Sequence, residues 1–105
     1  MIHAKKVKPE YFEALLRGDK TFELRREEPD EPSFAVGDYL ALNEYCVGLQ
    51  GSRVGDFTGR CLLYRITYVL RGSPLLAERT VALGLRLMPL CAEDLRVPGA
   101  ARSRE

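Results

Sequence analysis

The sequence predicts a small α+β domain, a partly open β-barrel of about five strands with one well-formed helix closing it. One segment near the start carries apolar residues at helical spacing, and several other segments alternate as strands do between glycine- and proline-containing turns. The 105 residues match the length of one domain, and 46% hydrophobic with 30% charged residues is ordinary for a folded chain.

The first two predicted elements are a short strand over residues 2–7 and an amphipathic helix over residues 9–17. Pro9 and Glu10 both suit the first turn of a helix, and Gly18 suits its C-terminal end. The apolar residues at helical spacing are Tyr11, Phe12, Leu15 and Leu16.

The next predicted element is a half-buried strand over residues 21–25, which alternates in polarity. Phe22 and Leu24 are expected to face the core. The polar residues are expected on the opposite face: Thr21, Glu23 and Arg25.

The rest of the chain divides at its prolines, glycines and charges. We predict an acidic loop at residues 27–32, a strand at 39–45 and a glycine-rich loop at 47–59. Two further strands are predicted at residues 60–70 and 80–88. Residues 1–95 are assigned to the domain and residues 96–105 to a flexible C-terminal tail.

Composition excludes several classes of function. The net charge of +1 is too small to hold a polyanion non-specifically, so an anionic ligand would have to meet a few focused charges. No apolar stretch is long enough to span a membrane, and we expect no membrane partner. The start of the sequence shows no signal-peptide core, and the location expected is the cytoplasm.

The cysteines predict neither a disulfide framework nor a metal site. Cys46, Cys61 and Cys91 are odd in number and widely spaced, unlike the close pairs of zinc sites. No metal and no other cofactor is expected.

The helix-to-strand junction carries the chemistry. Lys20 lies at the turn after Gly18, and Thr21, Glu23 and Arg25 follow on one predicted strand face. An ammonium, a hydroxyl, a carboxylate and a guanidinium in this arrangement suit acid–base chemistry or the binding of phosphate, carbonyl or carboxylate groups. By spacing alone, a solvated strand face with a surface ion pair explains the same pattern.

The same junction carries a family resemblance. The pattern Gly-x-Lys-x-x-Glu-x-Arg, formed by Gly18, Lys20, Glu23 and Arg25, resembles the signature of the ASCH domains, small β-barrels related to the PUA RNA-binding fold. The chain is similar to a subfamily of small single-domain bacterial and phage ASCH-like proteins in several segments: 9–25, 34–45, 57–60 and 66–70, with His3, Lys6 and Val7. The chain departs from the subfamily's pattern at Lys5, where the subfamily has an apolar residue. It also departs from that pattern at residues 71–79 and in the tail.

The resemblance implies a cleft between helix and barrel, lined by Lys20, Glu23 and Arg25, that binds RNA or a modified nucleobase or nucleotide. As the alternative it admits an enzyme, because a small ASCH member hydrolyses acetylated cytidine and others have been proposed as ribonucleases. In that alternative Lys20 and Glu23 would be catalytic without a metal, and Thr21 is the nearest hydroxyl. A third possibility is a protein-binding accessory role with a vestigial cleft, for a partner that the sequence does not identify.

Further candidates come from single residues. His3 and Tyr45 are predicted to line the cleft or stack on a base, although a structural role explains each equally simply. Asp38 is expected to fix a turn by bonding the backbone. In the strand 60–70, Arg60 is expected to share a face with Tyr64 and Tyr68, as in single-strand binding surfaces and in any amphipathic strand.

Overall fold

The computed structural model describes residues 1–47 and 55–89 of the chain. In order, the elements are β1 (Ile2–Val7), α1 (Pro9–Arg17), β2 (Phe22–Arg26), β3 (Tyr39–Cys46), β4 (Asp56–Leu70) and β5 (Thr80–Leu87). The predicted α+β class, the five strands and the single helix are confirmed for this part of the chain. The predicted tail and the centre of the glycine-rich loop lie outside the described residues.

The five strands form one mixed sheet in the order β1-β3-β4-β5-β2. β1 pairs with β3 in parallel, and the other three pairings are antiparallel. The strand order makes β1 and β2 the two edge strands, and the sheet curls into a half-barrel. No helix in residues 1–47 or 55–89 is long and apolar enough to cross a membrane.

The core lies between the inner face of the curled sheet and α1. Phe12 and Leu15 are the buried residues of the helix, and they pack on side chains from the central strands. The largest fully buried sheet residues are Leu40, Leu42, Ile66, Val81 and Leu83. The helix therefore covers the inner face of the half-barrel.

The helix has the ends that the sequence predicts. Pro9 occupies its first turn with Glu10, and Gly18 ends it in the left-handed conformation at φ 83°. Because a side chain strains this conformation, glycine allows the chain to turn sharply from α1 towards β2.

The predicted orientation of β2 is wrong. Phe22 and Leu24 are about half exposed, whereas the Glu23 residue is only 4% exposed. The pairing with β5 explains the inversion, because Glu23 lies opposite Leu83 and residues opposite each other share a face of the sheet. Glu23 therefore projects inward beside the core.

The predicted faces of β4 also need correction. Tyr64 is buried, but Tyr68 is exposed, so the two tyrosines do not share one environment. The register with β5 shifts between Ile66 and Tyr68, and this irregularity breaks the simple two-residue alternation. β4 also begins at Asp56, earlier than the predicted start at residue 60.

Candidate functional site

An open cleft of about 470 Å³ lies between α1 and β2. Further walls come from the end of β1 and from the junction that follows the helix, and α1 contributes through its first turn. Its lining residues are Lys6, Val7, Lys8, Tyr11, Lys20, Phe22, Glu23, Leu24 and Arg25. The three charged residues of the sequence motif thus line one cavity.

The turn after α1 places Lys20 at this cleft. The backbone N–H groups of Asp19 and Lys20 both donate to the carbonyl oxygen of Ala14, at 3.0 and 3.1 Å. These bonds satisfy a carbonyl group at the helix end and fix the path of the chain. Lys20 is consequently held by backbone geometry.

Glu23 is the centre of the charged group. Lys20 Nζ contacts Glu23 Oε1, and Arg25 donates to Glu23 Oε2 from Nε at 3.1 Å and from Nη2 at 2.7 Å. The Glu23 side chain is only 5% exposed, compared with 16% for Lys20 and 22% for Arg25. A carboxylate so buried needs this pairing, and both cations keep an accessible side.

A buried tyrosine lies behind the carboxylate. Burial, with the negative charge of Glu23 as a second cause, raises the pKa of Tyr64 to about 12. Its hydroxyl therefore stays protonated at neutral pH, and it lies 3.4 Å from the carbonyl oxygen of Leu15.

Two aromatic rings flank Lys20 at the cleft. Lys20 Nζ lies 5.2 Å from the ring centroid of Tyr11 and 5.4 Å from that of Phe22. Both aromatic residues are 48% exposed. The cleft thus combines cationic donors, one carboxylate and exposed aromatic faces, which suits a planar polar ligand.

The structure brings together Lys20, Glu23 and Arg25 but not the remaining candidates. Thr21 is exposed and is not among the residues that line the cleft; its carbonyl oxygen accepts a 3.1 Å bond from the N–H of Leu85. Tyr45 also lies outside the lining set, although its ring is 4.4 Å from Nζ of the cleft residue Lys6.

His3 occupies a different environment. It is buried, its Nε2 lies 2.9 Å from Asp38 Oδ2, and its ring centroid is 4.6 Å from that of Phe34. The bond to His3 is the largest cause that lowers the pKa of Asp38. Asp38 also accepts from the N–H of Ala35, so the expected turn contact is present. His3 lies four residues before Val7, which is about 13 Å along the strand.

Arg60 belongs to a separate group of ion pairs. It donates to Glu44 at 2.8 and 3.0 Å and to Glu13 at 2.6 Å, and its guanidinium lies 4.6 Å from the ring centroid of Phe12. The bonds from Arg60 to Glu44, with a bond from Thr58, lower the pKa of Glu44. Two carboxylates therefore already neutralise the charge of Arg60.

Six residues that line the cleft are not predicted as site residues by the sequence: Lys6, Val7, Lys8, Tyr11, Phe22 and Leu24. The basic cluster of residues 5, 6 and 8 was the signal for the two lysines. Tyr11 belongs to the apolar residues of the predicted helix and Phe22 to the predicted core, because apolar periodicity does not distinguish a core from the wall of a cleft.

One known protein family matches most of the chain. Residues 2–85 match the family described as a domain of unknown function, DUF3850. The chain belongs to this family. No curated protein matches the chain significantly. The DUF3850 match includes β1 to β4, the helix, β5 except its last two residues, and all the residues that line the cleft.

In the described part of this DUF3850 domain, no group of three or more His, Cys, Asp or Glu residues is arranged to hold a metal ion. Cys46 and Cys61 are free thiols, and burial raises the pKa of Cys61 to about 11. The Cys61 thiol is therefore protonated at neutral pH and is a poor nucleophile.

Proposed function

We propose that the cleft between α1 and β2 binds a base of RNA or a modified nucleobase or nucleotide, and that the domain is an ASCH-like barrel of the PUA type. The observation that carries this proposal is the meeting of Lys20 and Arg25 on the buried carboxylate of Glu23 in an open cleft. These residues are also the ones that the ASCH resemblance assigns to its ligand site.

The chemistry of the cleft matches a nucleobase. A base offers a flat face for Tyr11 and Phe22 and a polar edge for the charged residues. Lys20 and Arg25 donate to carbonyl or phosphate oxygens, and Glu23 accepts from an amino or imino group. Because both cations are already held by Glu23, their donor directions are fixed before a ligand arrives.

Thermal stabilisation by defined compounds tests this proposal. The panel contains adenosine, guanosine, cytidine, uridine, acetylated cytidine and the corresponding monophosphates. A compound that binds only the folded chain raises its melting temperature in proportion to the logarithm of its concentration once it exceeds Kd. If no compound raises the melting temperature and none binds by calorimetry, the proposal is wrong.

The exposed aromatic residues allow a test that preserves the fold. Tyr11→Leu removes a stacking face but keeps a residue that favours a helix, so we expect a loss of about tenfold in nucleotide affinity. Tyr68→Leu is the matched control, since Tyr68 is exposed on β4 and does not line the cleft. Equal affinities for the two variants would contradict the proposal.

One contact favours an enzymatic alternative. Lys20 Nζ touches Glu23 Oε1 at the cleft, so a proton can pass between the two groups during amide or phosphodiester hydrolysis. The candidate reactions remain the hydrolysis of acylated cytidine and metal-independent cleavage of RNA. Incubation with acetylated cytidine and with labelled RNA should yield product with the natural chain and none with Lys20→Met. Binding without turnover would support the binding function alone.

A further inference from the structure

A second cavity of about 480 Å³ adjoins the cleft. Its lining residues are Ala4, Lys5, Lys6, Arg25, Asn43 and Phe57, and we name it the outer groove. Lys6 and Arg25 line both cavities. The two cavities therefore meet where the edge strands β1 and β2 approach each other.

The outer groove is cationic. Three of its six lining residues carry a positive charge, and none of the six carries a carboxylate. Lys5 is paired with Glu31 at 2.7 Å and Arg25 with Glu23, but Lys6 forms no ion pair within the described residues. Lys6 thus supplies a charge that no carboxylate in residues 1–47 and 55–89 neutralises, in a chain whose net charge is only +1.

Aromatic residues border the groove on one side. Tyr45 and Phe57 are register partners on β3 and β4, and their ring centroids are 5.0 Å apart in an edge-to-face arrangement. Phe57 is 61% exposed, and Lys6 Nζ lies 4.4 Å from the centroid of the Tyr45 ring. An exposed ring beside an unpaired ammonium is the combination that holds a base and its phosphate in single-stranded nucleic-acid sites.

We infer that the protein takes a single-stranded RNA segment of at least two nucleotides across both cavities. One base occupies the cleft, the adjoining phosphodiester lies against Lys6 and Arg25, and the next base stacks on Phe57. This inference rests on the proposed function and adds a second subsite to it. The contact of Lys6 with Tyr45 is no obstacle, since a charge-assisted bond to phosphate is stronger than an exposed cation–π contact.

The dependence of affinity on length tests this subsite. The probes are adenylate, cytidylate and uridylate series of one, two and four nucleotides, measured by calorimetry. We expect the dinucleotide of the preferred base to bind about tenfold tighter than its mononucleotide, because it adds one stacked base and one phosphate contact. Equal affinities across lengths would overturn the inference.

Two variants separate the phosphate contact from the stacking contact. Lys6→Gln should weaken tetranucleotide binding and reduce its dependence on salt by about one phosphate contact. Phe57→Ser should weaken tetranucleotide binding about tenfold but leave mononucleotide binding unchanged. Arg86→Gln is the control for charge, because it removes one exposed cation that lines neither cavity.

The outcomes distinguish this inference from the function on which it rests. Equal affinities for one, two and four nucleotides that Lys6→Gln does not change would overturn the second subsite but leave the nucleotide-binding cleft. Absence of binding by every probe overturns both. Length-dependent binding that Lys6→Gln and Phe57→Ser both weaken supports both.

Discussion

The guanidinium of Arg25 donates to the backbone carbonyl oxygen of Lys6 at 2.9 Å, and this bond connects the two edge strands of the half-barrel. The same guanidinium holds Glu23, so the residue that bridges the open side of the barrel also orders the candidate site. Stability and site geometry are therefore coupled at Arg25.

The Arg25–Glu23 pair should contribute measurably to stability. Arg25→Met leaves the buried Glu23 with Lys20 alone, and we expect the free energy of unfolding to fall by about 1–3 kcal/mol. The double variant with Glu23→Gln should lose less than the sum of the two single changes, because the unpaired charge is gone. Urea unfolding measures all three differences.

Arg26→Met is the matched control for this cycle. Arg26 follows Arg25 on the same strand but is exposed, and its ion pair with Glu28 is long, at 3.9 Å. We expect a change within about 0.5 kcal/mol. If Arg25→Met and Arg26→Met lower the free energy of unfolding equally, the buried Glu23 does not require Arg25 as its partner.

A second prediction follows from the orientation of β2. It opposes the expectation from the sequence alone that Phe22 and Leu24 face the core. Phe22→Ser and Leu24→Ser should each cost less than about 1 kcal/mol because both side chains are half exposed. Leu83→Ala, at the fully buried position opposite Glu23, should cost about 2–5 kcal/mol. Core-like losses at Phe22 and Leu24 would contradict the inward orientation of Glu23.

The contrast at β2 shows what local pattern can and cannot predict. The helix over residues 9–17 and the position of Gly18 were predictable, because capping and apolar spacing are local properties. Which face of β2 is buried depends on its register with β5, about sixty residues away in the chain, and no local pattern encodes that register.

The candidate site follows the same division. Lys20, Glu23 and Arg25 lie within six residues, and their proximity was predictable from the spacing of a turn and a strand. The contributions of Tyr11 and Lys6 depend on how α1 and β1 approach β2, which only the tertiary structure reveals. Likewise, the burial of His3 with Asp38 depends on the parallel pairing of β1 with β3.

Acid should destabilise the protein partly through Glu44. Bonds from Arg60 lower its pKa from 4.5, so the folded state stabilises the ionised form. The resulting stability is present above the unfolded pKa and is lost as pH falls through the lower folded pKa. The free energy of unfolding should therefore decrease between about pH 6 and about pH 3, and less so in Glu44→Gln.

Glu78→Gln is the control for this pH dependence. Glu78 is exposed and forms no ion pair within the described residues, so its removal should leave the acid-dependent slope unchanged. The slope does not vanish in Glu44→Gln, since Asp38 and Glu27 also have lowered pKa values. Identical slopes in Glu44→Gln and the natural chain would contradict the role assigned to Arg60.

The turn at Gly18 links the stability of α1 to the position of Lys20. Gly18 has φ 83°, and a Cβ atom there would meet no heavy atom within 4 Å, so substitution strains the backbone without a clash. Gly18→Ala should therefore lower the free energy of unfolding by about 1–2 kcal/mol. Gly18→Asn should lower it less, because asparagine tolerates the left-handed conformation better than alanine does. If urea unfolding gives equal values for both variants, the left-handed turn that positions Lys20 is not the source of the cost.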